Sequence, residues 1–103
     1  MHRKQLLAAA ILATLSLGIH ADKMTAMKSG CMGCHQPDRA TVGPSIKDIA
    51  SKYGGNADVD ALVAVVKKGK TSDELTWGKI PMPASPAPEA DVRTVISWML
   101  AQP

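Results

Sequence analysis

The sequence predicts an all-α protein of about four short helices wrapped around a covalently attached group, and three observations carry that prediction. Apolar residues recur at helical spacing in four segments, and no run alternates convincingly as a strand would. The stretch Cys31-Met32-Gly33-Cys34-His35 is an attachment signature for a c-type haem. Phe is absent and only Tyr53, Trp77 and Trp98 are aromatic. With 103 residues the chain lies near the lower end of what one hydrophobic core can stabilise, so a porphyrin would supply apolar surface that the side chains lack.

The first residues stand apart from that core. His2, Arg3 and Lys4 precede an apolar run from Leu6 to Ile19, and Ala21 stands before the charged pair Asp22-Lys23. This order predicts a secretory signal peptide over residues 1–21, cut after Ala21, with a single domain over residues 22–103. The run is short of the about 20 apolar residues that a spanning helix needs, so no stable membrane insertion is expected after cleavage. Retention of the leader would instead tether the domain to a membrane. Of the 12 basic side chains, Arg3 and Lys4 leave with the leader, so a mature chain carries 10 against 9 acidic, a formal +1. Such a balance, without interleaved aromatics, excludes a nucleic-acid footprint.

The helices follow in order. Lys23 to Ser29 forms the first, ended by Gly30, with Met24 and Met27 three apart on one face and expected in the core. The attachment motif comes next, then a polar loop from Gln36 to Gly43, then Pro44. Ile46, Ile49, Ala50 and Tyr53 have helical spacing, stopped by Gly54-Gly55. Asp58 suits the N-cap of the third helix, in which Val59, Leu62, Val63 and Val66 form the buried stripe. Lys67 and Lys68 complement its negative end, and Gly69 closes it. Lys70 to Pro88 is irregular, because Pro81, Pro83, Pro86 and Pro88 deny it regular hydrogen bonding. The last helix runs from about Pro88 to Ala101 and buries Val92, Val95, Ile96 and Met99.

Cys31 and Cys34 can each add to a haem vinyl group as thioethers, and His35 then lies under the iron as an axial ligand. A simple disulfide or redox dithiol is the alternative for the pair alone, but His35 directly after it favours haem, and a thioredoxin-type motif would be expected in an alternating strand and helix pattern that is absent here. A structural zinc site needs four ligands, and beyond the leader there are only two Cys and one His. For the second axial position, His2 and His20 belong to the leader, which leaves methionine. Met32 lies inside the attachment loop, whereas Met82 is held between Pro81 and Pro83 on a stiff segment and is the candidate chosen. An open iron, or ligation by another methionine, is the alternative.

These residues give the chain a resemblance to small bacterial class I cytochromes c of the c-551/c-552 type. The matching segments are Gly30 to His35, Val42-Gly43-Pro44, Lys47 to Tyr53, Trp77 to Pro83, and a terminal helix containing Trp98. The resemblance implies a monohaem fold in which the first and last helices cross beside the haem, with residues 22–103 as the cytochrome c domain. It implies that the Pro44 carbonyl accepts the Nδ1 proton of His35 and that the Trp77 indole donates to a haem propionate. Some positions depart from the pattern. Ala26 and Met27 occupy the region of a usual Phe, Ser85 stands where an Asn often bonds the axial sulfur, and Val65 replaces a propionate-binding Arg. The loop from Lys70 to Thr76 also looks longer than usual.

The expected function is soluble periplasmic electron transfer through haem c cycling Fe(III)/Fe(II), without enzymatic activity. The resemblance implies redox protein donors and acceptors such as a cytochrome bc1-type complex, a terminal oxidase or a nitrite reductase. Lys28, Lys47 and Lys79 are candidates for steering the carrier onto an acidic partner. The competing reading is a ligand sensor or peroxidase-like enzyme with a labile distal Met82, against which the lack of a distal His counts.

Overall fold

A computed structural model describes residues 22–55 and 57–103; the expected signal peptide lies outside the described residues. The described part of the first helix, α1, covers residues 22–28. After it come a 3-10 turn at Cys31–Gly33, α2 at Ile46–Tyr53, α3 at Val59–Lys68, a second 3-10 turn at Ser72–Glu74, and α4 at Glu89–Leu100. Extended pairing among the described residues consists of two isolated bridges, His35 with Ala40 and Lys70 with Met82. No helix among the described residues is long and apolar enough to cross a membrane.

Local chemistry sets each boundary. Gly30, at φ 78°, turns the chain out of α1, in a left-handed conformation that an L side chain adopts only at a cost. Ser45 caps α2 by accepting the Asp48 N–H at 3.0 Å, and the N–H groups of Ile46 and Lys47 donate to the Gln36 and Pro37 carbonyls. Those bonds satisfy helix donors that have no partner within the helix and tie the loop after His35 to α2. Asp58 caps α3 through the Ala61 N–H at 3.1 Å. Pro88 precedes α4, where its missing N–H costs nothing, and Glu89 and Asp91 complement the positive helix end.

Both α2 and α3 pack on α4, which presents two faces to two clusters. Ala26, Ile46, Val95 and Met99 form one, with Cys31, Met32, Ile49 and Trp98 against it. Val63, Ala87, Val92 and Ile96 form the other, joined by Val59, Leu62, Val66 and Leu100. The apolar stripes expected of α3 and α4 are therefore the ones used.

Helix α1 corrects the sequence reading. Met24 and Met27 are each 61% exposed, while Ala26 is fully buried against α4. An i,i+3 methionine pair marks a common face without saying whether that face turns inward. A methyl at the crossing lets two helices approach more closely than two thioether chains do.

Candidate haem site

Cys31 opens the first 3-10 turn and Cys34 terminates it, its N–H bonded to the Cys31 carbonyl at 3.3 Å. Both thiols are free and half-buried. Burial pushes the Cys31 thiol above its ordinary value, because the thiolate would lose hydration. The His35 N–H donates to the Cys31 carbonyl at 3.0 Å, which sets the imidazole directly behind the cysteine turn.

The ring itself is oriented. His35 Nδ1 lies 2.9 Å from the Pro44 carbonyl oxygen, which can only accept, so Nδ1 carries a proton and in the neutral ring Nε2 is the nitrogen with the lone pair. The loop that brings Pro44 there is closed by the Gly43 N–H and the Thr41 hydroxyl, which both donate to the Cys34 carbonyl, at 2.9 and 3.1 Å. Gly43 is required by proximity: a Cβ at this position would lie 2.7 Å from His35 Cε1 and 3.0 Å from Nδ1.

Met82 is held by its backbone. Its N–H and C=O exchange hydrogen bonds with Lys70 at 3.0 and 2.8 Å, forming the second isolated bridge. Three residues on, the Ser85 N–H donates to the Val66 carbonyl at 3.0 Å, and the Ser85 hydroxyl accepts the Ala87 N–H at 3.2 Å. The Met82 sulfur has no hydrogen-bond partner among the described residues. Gly69 makes the close approach possible. It sits at φ 81°, and a Cβ there would fall 2.6 Å from the Met82 carbonyl oxygen and 2.7 Å from the Ala84 nitrogen.

Trp77 is half-buried, with its ring edge-on to Tyr53 at 6.3 Å and 72°. The Lys52 ammonium lies 4.6 Å from the Trp77 ring centre and 5.5 Å from that of Tyr53, within cation–π range of both. The Trp77 indole N–H has no acceptor among the described residues. Val65 is half-buried on α3.

Sequence reasoning did not single out Gly43, Gly69, Lys52 or Lys67 as parts of this arrangement. Gly43 had a signal in its place before Pro44, and Gly69 was legible only as a helix end. Lys52 lies one residue before Tyr53 and carries no mark of its stacking. Lys67 was legible only as a charge suited to a helix terminus.

Two free thiols on one turn, an imidazole with a free Nε2 and a methionine on a tethered loop form a donor set suited to a covalently attached haem. The fold and the site together define a small, mostly helical haem protein of the c type. The chain belongs to the cytochrome c family: the family model described as Cytochrome c matches residues 23–103. It is 44% identical over 82 residues to cytochrome c-551 of Allochromatium vinosum, covering 78% of this chain and 84% of that protein. With cytochrome c2 of Rubrivivax gelatinosus it shares 45% over 82 residues, covering 76% and 93% respectively. Among solved structures, wild-type Nitrosomonas europaea cytochrome c552 superimposes with a TM-score of 0.70 at 35% identity, over 79% of this chain and 99% of that one. The chain is accordingly an electron-transfer haem protein with a covalently bound c-type haem.

Proposed function

We propose that the protein is a periplasmic one-electron carrier, residues 22–103, released from a signal peptide at residues 1–21. In this reading Cys31 and Cys34 would form the two thioethers, His35 Nε2 and the Met82 sulfur would ligate the iron, and Trp77 would donate to a propionate. When bound, the haem supplies a reversible Fe(III)/Fe(II) couple. The observation that carries the reading is the His35–Pro44 hydrogen bond beside two free cysteine thiols.

The residues act by holding still. Pro44 fixes both the tautomer and the plane of the imidazole, and its partial negative charge makes Nε2 a better donor. The bridge to Lys70 holds Met82 on its segment whatever the oxidation state, so electron transfer requires little rearrangement of the chain. A thioether and an imidazole together would favour the reduced state relative to two nitrogen ligands. Trp77 offers an indole N–H that lacks a protein acceptor among the described residues, which suits a carboxylate. Donor and acceptor are redox proteins, with a cytochrome bc1-type complex, a terminal oxidase and a nitrite reductase as the classes to try first.

The test compares absorption spectra of wild type and Met82→Ala. The long-wavelength ferric charge-transfer band that reports iron–sulfur ligation should be present in wild type and absent from the variant. A wild type without that band, or one that binds carbon monoxide readily when ferrous, overturns the carrier reading. Sequencing the N-terminus of periplasmic protein should give Asp22; an intact Met1 on a membrane fraction overturns the leader assignment.

A further inference from the structure

The lysine pair that ends α3 is split by the fold. Lys68 is exposed, as a charge that merely complements a helix end should be. Lys67 is half-buried, its Nζ donating to the Ser85 carbonyl at 3.0 Å and also to the Ala87 carbonyl. Both carbonyls belong to the segment that follows Met82, Pro83-Ala84-Ser85-Pro86-Ala87-Pro88, in which three of six residues have no N–H. A segment so poor in donors can be anchored chiefly through its acceptors, and that requires a donor from another element. Lys67 is this donor, and its positive charge makes each bond stronger than a neutral one.

We propose that Lys67 is a positioning residue for Met82, a latch from the last turn of α3 that keeps the methionine loop closed over its ligand position. The inference rests on the reading of Met82 as an axial ligand. The latch works together with the Lys70–Met82 bridge and the Ser85–Val66 bond, so the loop is fixed both at Met82 and three to five residues beyond it. Removing the Nζ donors leaves the Lys70 bridge in place but frees the far end. The loop then opens more often, and an outside ligand competes for the iron position that Met82 vacates.

The experiment titrates ferric holoprotein with imidazole and follows loss of the iron–sulfur band. Because binding draws on the open fraction, a tenfold larger open population gives about tenfold tighter apparent binding. Lys67→Ala should bind imidazole about tenfold more tightly than wild type, Lys67→Gln should fall between them, and Lys67→Arg, which keeps charged donors, should stay near wild type. Asp58→Ala, which loosens the other end of α3, controls for stability: it should lower the thermal midpoint without changing imidazole affinity. Unchanged affinity in both Lys67→Ala and Lys67→Gln overturns the latch, as does an equal gain in Asp58→Ala. Failure of the axial reading shows separately: the band is then missing from wild type or survives in Met82→Ala, and the latch falls with it.

Discussion

His35 and Met82 are approached by the backbone in the same way and held in different ways. Each has a glycine packed against it, Gly43 on the imidazole ring and Gly69 on the Met82 carbonyl, where a Cβ would come within 2.7 Å and 2.6 Å respectively. Beyond that the two sides diverge. The His35 side chain is itself bonded, through Nδ1 to Pro44, so its ring plane is set before any cofactor arrives. Met82 is tethered through its N–H and C=O to Lys70, and its thioether has no hydrogen-bond partner among the described residues. The Met82 backbone is constrained while the placement of its sulfur is left to side-chain packing. Ser85 belongs to the same contrast, because its hydroxyl accepts the Ala87 N–H within the loop. One side of the site is built to orient a donor atom and the other to hold the backbone that carries one.

The comparison can be broken most severely at Gly69. Gly69→Ala forces a left-handed residue and drives its Cβ into backbone atoms of the Met82 segment, which cannot swing aside, for a loss of about 2–5 kcal/mol. Denaturant unfolding should show that loss, with the iron–sulfur band disappearing before the helical signal. Gly43→Ala should cost less, about 1–3 kcal/mol, because its clash is with a side-chain ring. The signature there is loss of the slowly exchanging His35 Nδ1 proton in NMR spectra while the iron–sulfur band persists. Each variant perturbing the opposite side instead would dissolve the distinction.

A smaller effect tests how far the His35 side depends on its helix. Ser45 is only 2% exposed and caps α2 next to Pro44, so Ser45→Ala should lower stability by about 1 kcal/mol and speed exchange at the Asp48 N–H. The smallest effect lies in the turn at Ser72–Glu74, on the Met82 side. The Thr71 hydroxyl holds the Asp73 carboxyl below the usual carboxylate range, and the Thr71 N–H together with that hydroxyl does the same for Glu74. Carboxyls depressed in the folded state stabilise it fully above their unfolded values, about 4, and lose that contribution as pH falls through the lowered ones. Thr71→Val should flatten this acid-side decline in the turn's amide exchange and leave His35 unaffected.

Sequence periodicity was informative where burial is decided by a stripe. Val92, Val95, Ile96 and Met99 are all buried on α4, and Val63 lies at the centre of the α3 stripe. The caps at Ser45 and Asp58 were legible for the same local reason. Periodicity failed on α1, where Met24 and Met27 share a face that turns to solvent and the small Ala26 makes the contact. Of the haem site, the attachment motif was visible because its chemistry needs contiguous residues. Lys67, Gly43 and Gly69 were not, since each matters through a residue between 8 and 20 positions away that only folding brings near: Gly43 through His35, Gly69 through Met82, and Lys67 through Ser85 and Ala87.

The Lys70–Met82 bridge also insulates. It closes residues 71–81 into a lobe whose two ends are stitched together at the neck, so the length of that lobe is mechanically separate from the placement of the methionine. Inserting a few flexible residues after Glu74, beyond the Thr71 bonds, should add mainly loop-closure entropy, about 0.6 kcal/mol for each doubling of length. The Lys70 to Thr76 stretch is thus free to vary as a surface feature, and a peptide tag or a cleavage site placed there should leave the Met82 backbone where the bridge holds it.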